Sequence, residues 1–150
     1  MYSRGHAVVS ALVGLPVAGV APADASPVLA WVAVVVLGVA VDLDHFLLAR
    51  YNRGDWAPLR RCVRDPALVV AGQDAIFEPG DLWRDQRLLS HALLGGALVA
   101  VVVPVGTYWA LVAGVALYAH VVADLAADCA SRRAYLAESA RALEASGSRE

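Results

Sequence analysis

The chain has 150 residues, of which 59% are hydrophobic and 17% are charged, with a net charge of −2 and a mean hydropathy of +0.59. Soluble domains carry about 25% charged residues, so this composition favours a membrane protein, and the charge balance provides no basic patch for nucleic acid. Cys62 and Cys129 lie far apart and form no CxxC motif, which argues against a zinc knuckle or a disulfide framework.

Four apolar stretches predict four transmembrane helices, at 7–23, 25–41, about 88–103 and about 107–125. The first two contain no charged residue, and Pro104 and Gly106 divide the last long apolar run in two. Each stretch is near the lower end of the roughly 17–25 residues that cross a bilayer. Four buried helices of a soluble all-α protein are the alternative.

Arginine placement indicates the topology. The connections at 22–27 and 103–107 contain no arginine, whereas arginines precede the first stretch, follow the fourth and fill the connection between the second and third. By the positive-inside rule this predicts a multi-pass protein of the cytoplasmic (inner) membrane with both termini cytoplasmic. A cleavable signal peptide, with Arg4 before an apolar stretch and small residues at 21–25, is a competing interpretation that would remove His6.

The predicted fold is all-α: a four-helix membrane bundle of two helical hairpins, with a long central loop at 51–87. This membrane-embedded unit covers residues 1–130, and residues 131–150 form a C-terminal helix and tail. The C-terminal helix is predicted to be amphipathic, with Leu136, Ala140 and Leu143 on one face.

All four histidines of the chain are predicted to lie at the cytoplasmic end of these helices, each on a different one. Three aspartates accompany them, and helix bundles build metal sites from such inward-facing side chains. The predicted metal ligands are His6, Asp42, His45, His91, His120 and Asp124.

The local spacing supports a shared site. His120 and Asp124 are four residues apart on one helical face, and Asp128 follows one turn later. Asp42 and His45 are three apart, whereas Asp44 points elsewhere unless the helix frays. Imidazole and carboxylate ligands favour a divalent metal, with Zn²⁺ first and Mn²⁺ or Mg²⁺ as alternatives. Ionised aspartates in apolar surroundings cost a few kcal/mol, which a cation or, alternatively, Arg87 would offset.

These residues resemble the YdjM-like family of LexA-regulated, inner-membrane-associated metal-dependent hydrolases. The matching elements are His6, the DLDH motif at 42–45, Arg87 with Ser90-His91, and the final HxxxD of His120 and Asp124. The resemblance covers the chain to about residue 128 and implies a distant relation to the zinc phospholipase C and P1-nuclease group. One departure is Gln86, which stands where the family has a histidine.

The leading functional hypothesis is a metal-dependent hydrolase of a phosphoester, with a membrane lipid as partner or substrate. Asp44 or Asp128 would act as general base, and Arg87 would stabilise developing negative charge. The alternative is a non-catalytic membrane protein whose metal site is structural or handles metal ions. A haem protein is a third reading, but haem iron is usually held by His, Met, Cys or Tyr rather than by aspartates.

Overall fold

The computed structural model describes residues 3–69 and 71–147, with side chains up to residue 141. In these ranges the chain contains no β-strand, so the predicted all-α class is confirmed. The α-helices of these ranges are α1 (Ser3–Gly19), α2 (Pro27–Ala40), α3 (His45–Arg53), α4 (Ala57–Arg64), α5 (Arg84–Val102), α6 (Thr107–Ala130) and α7 (Arg132–Gly147).

The first two helices form a hairpin. Ser26 caps α2 by accepting a hydrogen bond from the N–H of Leu29 at 3.3 Å, and Pro27 starts the helix where no backbone donor is needed. The indole N–H of Trp31 donates to the carbonyl of Ala11 at 2.9 Å and ties the two helices together.

The helical path does not stop at the end of α2. A 3₁₀ turn at Val41–Asp44 connects α2 directly to α3, so that one helical segment runs from Pro27 to Arg53 over 27 residues. A 3₁₀ turn has three residues per turn, so side chains three apart project in the same direction. This local tightening places Asp42 and His45 side by side and turns Asp44 into the interior, where it is 5% exposed.

The second hairpin joins α5 and α6 where the sequence predicts a break. Val103–Val105 forms a short 3₁₀ turn containing Pro104, and Gly106 follows with φ of +151°, a conformation that side chains disfavour. Both helices extend beyond their predicted cytoplasmic ends, because α5 begins at Arg84 and α6 continues to Ala130. These extensions carry Arg84, Arg87 and Asp128, which lie at the edge of the site.

Helix α6 contacts α1, α2 and α5. The buried apolar core between these helices is small and consists of Val17, Ala30, Val34, Val112 and Ala116. Many large apolar side chains point outwards instead, including Leu12 at 62% and Val101 at 72% exposure. Exposed apolar surface of this extent marks contact with a membrane or another protein.

Three segments of the described chain are long and apolar enough to cross a membrane: Pro27–Arg53, Arg84–Val105 and Thr107–Ala130. The sequence predicts four such segments. Helix α1, described over the 17 residues Ser3–Gly19, is not among the three.

The predicted loop at 51–87 contains much helical structure, including α4 and 3₁₀ turns at Pro66–Val69 and Gln73–Ala75. Glu78 fastens it by accepting hydrogen bonds from Arg53 at 2.7 Å and from Arg61. These two guanidinium groups, Arg53 first, hold the pKa of Glu78 below its usual value. The segment therefore has a defined position beside α3.

The C-terminal helix α7 is attached through one aromatic contact. The guanidinium of Arg84 lies 4.0 Å from the ring centroid of Tyr135 and donates to the Ser131 hydroxyl at 2.8 Å. On the predicted apolar face, Leu136 and Ala140 are exposed, and the side chain of Leu143 lies outside the described residues.

Candidate metal centre

Four histidines and three aspartates meet where α1, α5, α6 and the α2–α3 turn come together. We call this set the histidine–aspartate cluster; its members are His6, Asp42, Asp44, His45, His91, His120 and Asp124. Three of the imidazoles are almost fully buried, at 0–2% residue exposure, and His45 is partly buried. The structure thus brings together every residue that the sequence predicts as a metal ligand.

The first group of candidate ligands contains His6, Asp42, His120 and Asp124, whose ligand atoms lie within 4.8 Å of one another. The Nε2 of His120 lies 3.3 Å from Oδ1 of Asp42 and 3.5 Å from Oδ2 of Asp124. The Nε2 of His6 lies 3.1 Å from Oδ1 of Asp124 and 3.9 Å from Oδ2 of Asp42. Candidate ligand atoms from three helical segments therefore lie within one small volume.

The second group contains Asp42, His45 and His91. Oδ1 of Asp42 lies 3.3 Å from Nε2 of His45 and 3.5 Å from Nε2 of His91. Asp42 is therefore common to both groups. Its two oxygen atoms face four imidazoles, one from each of four helices.

These separations fit metal ligation better than direct hydrogen bonding. Hydrogen bonds between nitrogen and oxygen span about 2.7–3.2 Å, whereas ligands bonded at about 2.0–2.2 Å in a tetrahedral shell lie roughly 3.3–3.6 Å apart. The contacts of Asp42 with His45, His91 and His120 measure 3.3–3.5 Å. They are longer than most hydrogen bonds and match the distance between two ligands of one ion.

Unsatisfied buried atoms point to the same conclusion. Oδ1 of Asp42 and the Nε2 atoms of His45, His91 and His120 are buried, and none has a hydrogen-bond partner in the described chain. Each such group costs about 1–3 kcal/mol if it stays unsatisfied. A divalent ion at each of the two ligand groups would accept these lone pairs.

The opposite ring nitrogens fix the orientation of two imidazoles. Nδ1 of His120 donates to the carbonyl of Gly38 at 2.7 Å, and Nδ1 of His91 donates to Oδ2 of Asp44 at 3.0 Å. With the proton on Nδ1, the lone pair on Nε2 faces Asp42 and is ready to bind metal. Helix α1 also packs closely against Gly38, where a Cβ would overlap the hydroxyl of Ser10.

The charge balance also favours a cation. Among residues 3–69 and 71–147, no arginine contacts Asp42 or Asp44. Protonating every imidazole is not a good substitute, because the rings of His6 and His120 are stacked with centroids 3.7 Å apart. Two like charges near 4 Å repel by about 4 kcal/mol at an effective dielectric constant of 20. A divalent ion compensates the carboxylates without this repulsion.

Of the predicted catalytic residues, Arg87 and Asp128 lie at the edge of the cluster and Asp44 lies within it. Arg87 pairs through Nε with Asp124 at 3.2 Å and through Nη2 with Asp128 at 2.8 Å. Asp128 also pairs with Arg84 at 3.3 Å, so its two oxygens hold guanidinium groups. Asp44 orients His91, which is a positioning role. A general-base role for Asp44 or Asp128 stays a prediction.

Gln86 lies apart from the cluster. Its amide makes two hydrogen bonds with the amide of Asn52, at 2.6 and 3.1 Å, and thereby ties α5 to α3. The residue that departs from the family pattern therefore has a structural partner here.

Two residues of the site had no role assigned from the sequence. Ser90 donates its hydroxyl hydrogen to Oδ2 of Asp44 at 2.5 Å and so fixes the carboxylate that orients His91. Its position immediately before a predicted ligand was the only local signal. Gly38 carries no such signal, because nothing in a sequence reveals which carbonyl meets a distant imidazole.

Comparison with known proteins finds no match to a protein-family model, to a curated protein or to a solved structure.

Proposed function

We propose that this protein is a membrane-embedded metal-dependent hydrolase that cleaves a phosphoester. The observation that carries the proposal is in the histidine–aspartate cluster: Oδ1 of Asp42 and the Nε2 atoms of His45, His91 and His120 are buried, have no hydrogen-bond partner among the described residues and lie at ligand-to-ligand distances. We assign one divalent ion to each of the two ligand groups, with Asp42 shared between them.

The membrane assignment rests on three apolar helical segments with outward-facing apolar side chains. We place both termini and the segment at 51–87 on the cytoplasmic side of the inner membrane, because all the arginines flank the helices on that side. The cluster then lies near the cytoplasmic surface, within reach of water and of lipid headgroups.

Zinc is the first candidate metal, since imidazole nitrogens supply most of the ligands and carboxylates supply the rest; Mn²⁺ and Mg²⁺ are the alternatives. A divalent ion lowers the pKa of a bound water towards about 7 and polarises a phosphoryl oxygen. The protein's own contribution is to hold neutral imidazoles with Nε2 facing the ion, through Gly38 and Asp44.

A phosphoester is favoured over other hydrolysable groups because of Arg87. Its Nη1 makes no hydrogen bond with the described residues, while Nε and Nη2 are held by Asp124 and Asp128. A guanidinium fixed in this way beside divalent ions suits the negative oxygens of a phosphoryl group. Arg87 also lines a cavity of about 610 Å³ together with Asp42 and His45, which gives a substrate access to the site.

The first test is elemental analysis of the detergent-purified protein, comparing the wild type with the double variant Asp42→Ala/His120→Ala. We expect zinc in the wild type and its loss from the double variant. A matched control is Asp74→Ala, which removes an exposed carboxylate outside the cluster and should leave the metal content unchanged. Equal metal in all three proteins would refute the metal site.

The second test is hydrolysis of bis(4-nitrophenyl) phosphate by the zinc-loaded and manganese-loaded protein. We expect turnover by the wild type and by Asp74→Ala, and none by His120→Ala. Turnover equal to that of His120→Ala, across diester and monoester substrates, would refute the hydrolase assignment.

A structural metal site is the second candidate function, and the near-complete burial of His6, His91 and His120 favours it. Bound zinc without turnover, together with loss of helical structure on chelation, would support this second assignment over the first.

A further inference from the structure

A cavity at the metal centre is lined by both polar and apolar side chains. Its polar part, which we call the polar end, contains Asp42, His45 and Arg87 together with Ser3 and Gln73. The remainder, which we call the apolar groove, includes a first wall of Val35, Val36 and Val39 on α2 and the further apolar residues Ile76, Phe77 and Leu82. Resting on the proposed function, we infer that the substrate is a glycerophospholipid-type phosphodiester, with its phosphate at Arg87 and an acyl chain in the apolar groove.

The shape of the cavity suits such an amphiphile. Its volume of about 610 Å³ lies in the range of small-molecule sites, about 300–1,000 Å³. The lining residues that carry a full charge, Asp42 and Arg87, both belong to the polar end. A water-soluble diester would occupy the polar end and leave the apolar groove exposed to water. An acyl chain would cover the apolar groove instead.

The groove is also open to the membrane. Its first wall belongs to the Pro27–Arg53 segment, which is long and apolar enough to cross a bilayer. Val36 lies on this wall and is 55% exposed on the apolar surface of that segment. A lipid can therefore place its chain along α2 without leaving the hydrocarbon region. Its phosphate then meets the ions at the end of the same helical segment.

The fold offers a matched pair of positions for a test. Val36 lines the groove, and Val32, one turn earlier on the same helix, does not; both are exposed, at 55% and 39%. Tryptophan at position 36 should obstruct the acyl chain, and tryptophan at position 32 should only face lipid. Both variants should keep the wild-type zinc content, since neither position touches the histidine–aspartate cluster.

The experiment compares two diesters with the same head: glycerophosphoglycerol, which has no acyl chains, and dihexanoyl-phosphatidylglycerol. For the wild type we expect kcat/KM to be higher for the lipid. We expect Val36→Trp to lower the ratio of lipid to soluble turnover by about tenfold, and Val32→Trp to leave the ratio within about twofold of the wild type. An unchanged ratio in Val36→Trp, or a wild type that prefers the chainless diester, would overturn the inference.

A binding measurement separates this inference from the proposed function. Phosphatidylglycerol with a diazirine on its acyl chain is photo-crosslinked to the zinc-loaded protein in detergent, and labelled peptides are mapped. Label on α2 and on residues 71–83 in the wild type and Val32→Trp, but not in Val36→Trp, supports the groove even if no diester is hydrolysed. Identical labelling in all three proteins overturns the groove, whatever the outcome for hydrolysis.

Discussion

Asp42 belongs to both groups of candidate ligands, so replacing it should affect both ions at once. It is the only carboxylate of the second group, with His45 and His91, whereas the first group also contains Asp124. The substitution Asp42→Asn keeps the size of the side chain and removes its charge. By contrast, His45→Ala removes a ligand from the second group only. The two variants therefore make different predictions for metal stoichiometry.

The size of the effect follows from the position of Asp42. Mutating an outer partner of a metal ligand typically costs 10–100-fold in affinity, so loss of a shared inner carboxylate should cost at least about 100-fold at each group, or about 2.7 kcal/mol. At a free zinc concentration ten times the wild-type Kd, we expect about 1.8 ions per wild-type chain, about 0.9 in His45→Ala and about 0.2 or fewer in Asp42→Asn.

The assay equilibrates each detergent-purified protein in a zinc buffer, removes free metal by rapid desalting and measures zinc per chain by mass spectrometry. Circular dichroism of each variant checks that the helices remain. If Asp42→Asn kept one full ion, Asp42 would not bridge two groups. If His45→Ala lost as much zinc as Asp42→Asn, the cluster would hold one ion rather than two.

Three further outcomes are expected. Gly38→Ala should lower the free energy of thermal unfolding by about 1–3 kcal/mol, because the added methyl group overlaps a serine hydroxyl of α1. The control Gly96→Ala should leave the free energy unchanged, because a Cβ at Gly96 meets no atom within 4 Å. Gln86→His should leave the zinc content unchanged, because Gln86 faces Asn52 rather than the cluster. The amide hydrogen-exchange protection factors of residues 71–83, corrected for the intrinsic rate at each pH, should be high above the ordinary pKa of glutamate and decrease as pH falls through the lowered pKa of Glu78. Glu78→Gln should remove this pH dependence.

The features that local patterns determine were predictable from the sequence. The apolar runs predicted the helices. Pro104 and Gly106 predicted the break between α5 and α6, because each of these residues changes the conformations open to its own backbone. The pairing of His120 with Asp124 follows from the rise of a regular helix. The convergence of the histidines at one end of the bundle was predictable as well, because consecutive helices run in alternating directions between its two ends.

The features that depend on deviations from regular helix were not predictable. Asp44 was expected to point away from His45 and Asp42, and only the 3₁₀ turn brings it inwards to His91. The apolar sequence around that turn is equally compatible with a 3₁₀ turn and with a continuous α-helix. Likewise, α4 lies inside a segment whose prolines and glycines predict a loop, because Pro58 occupies the first helical turn, where proline is tolerated.

Under the proposed function, the cluster also holds the first helix in place. Much of the apolar surface of helix α1 faces outwards, as at Leu12. Its one histidine, however, lies at the end where α2 and α6 supply Asp42 and Asp124. A proposed ion held by all three helices would bind the native arrangement and not the dissociated one, so it would stabilise α1 in place by mass action. Burying aspartates in an apolar bundle is costly, and under the proposed function the coupling of metal binding to helix association would offset that cost.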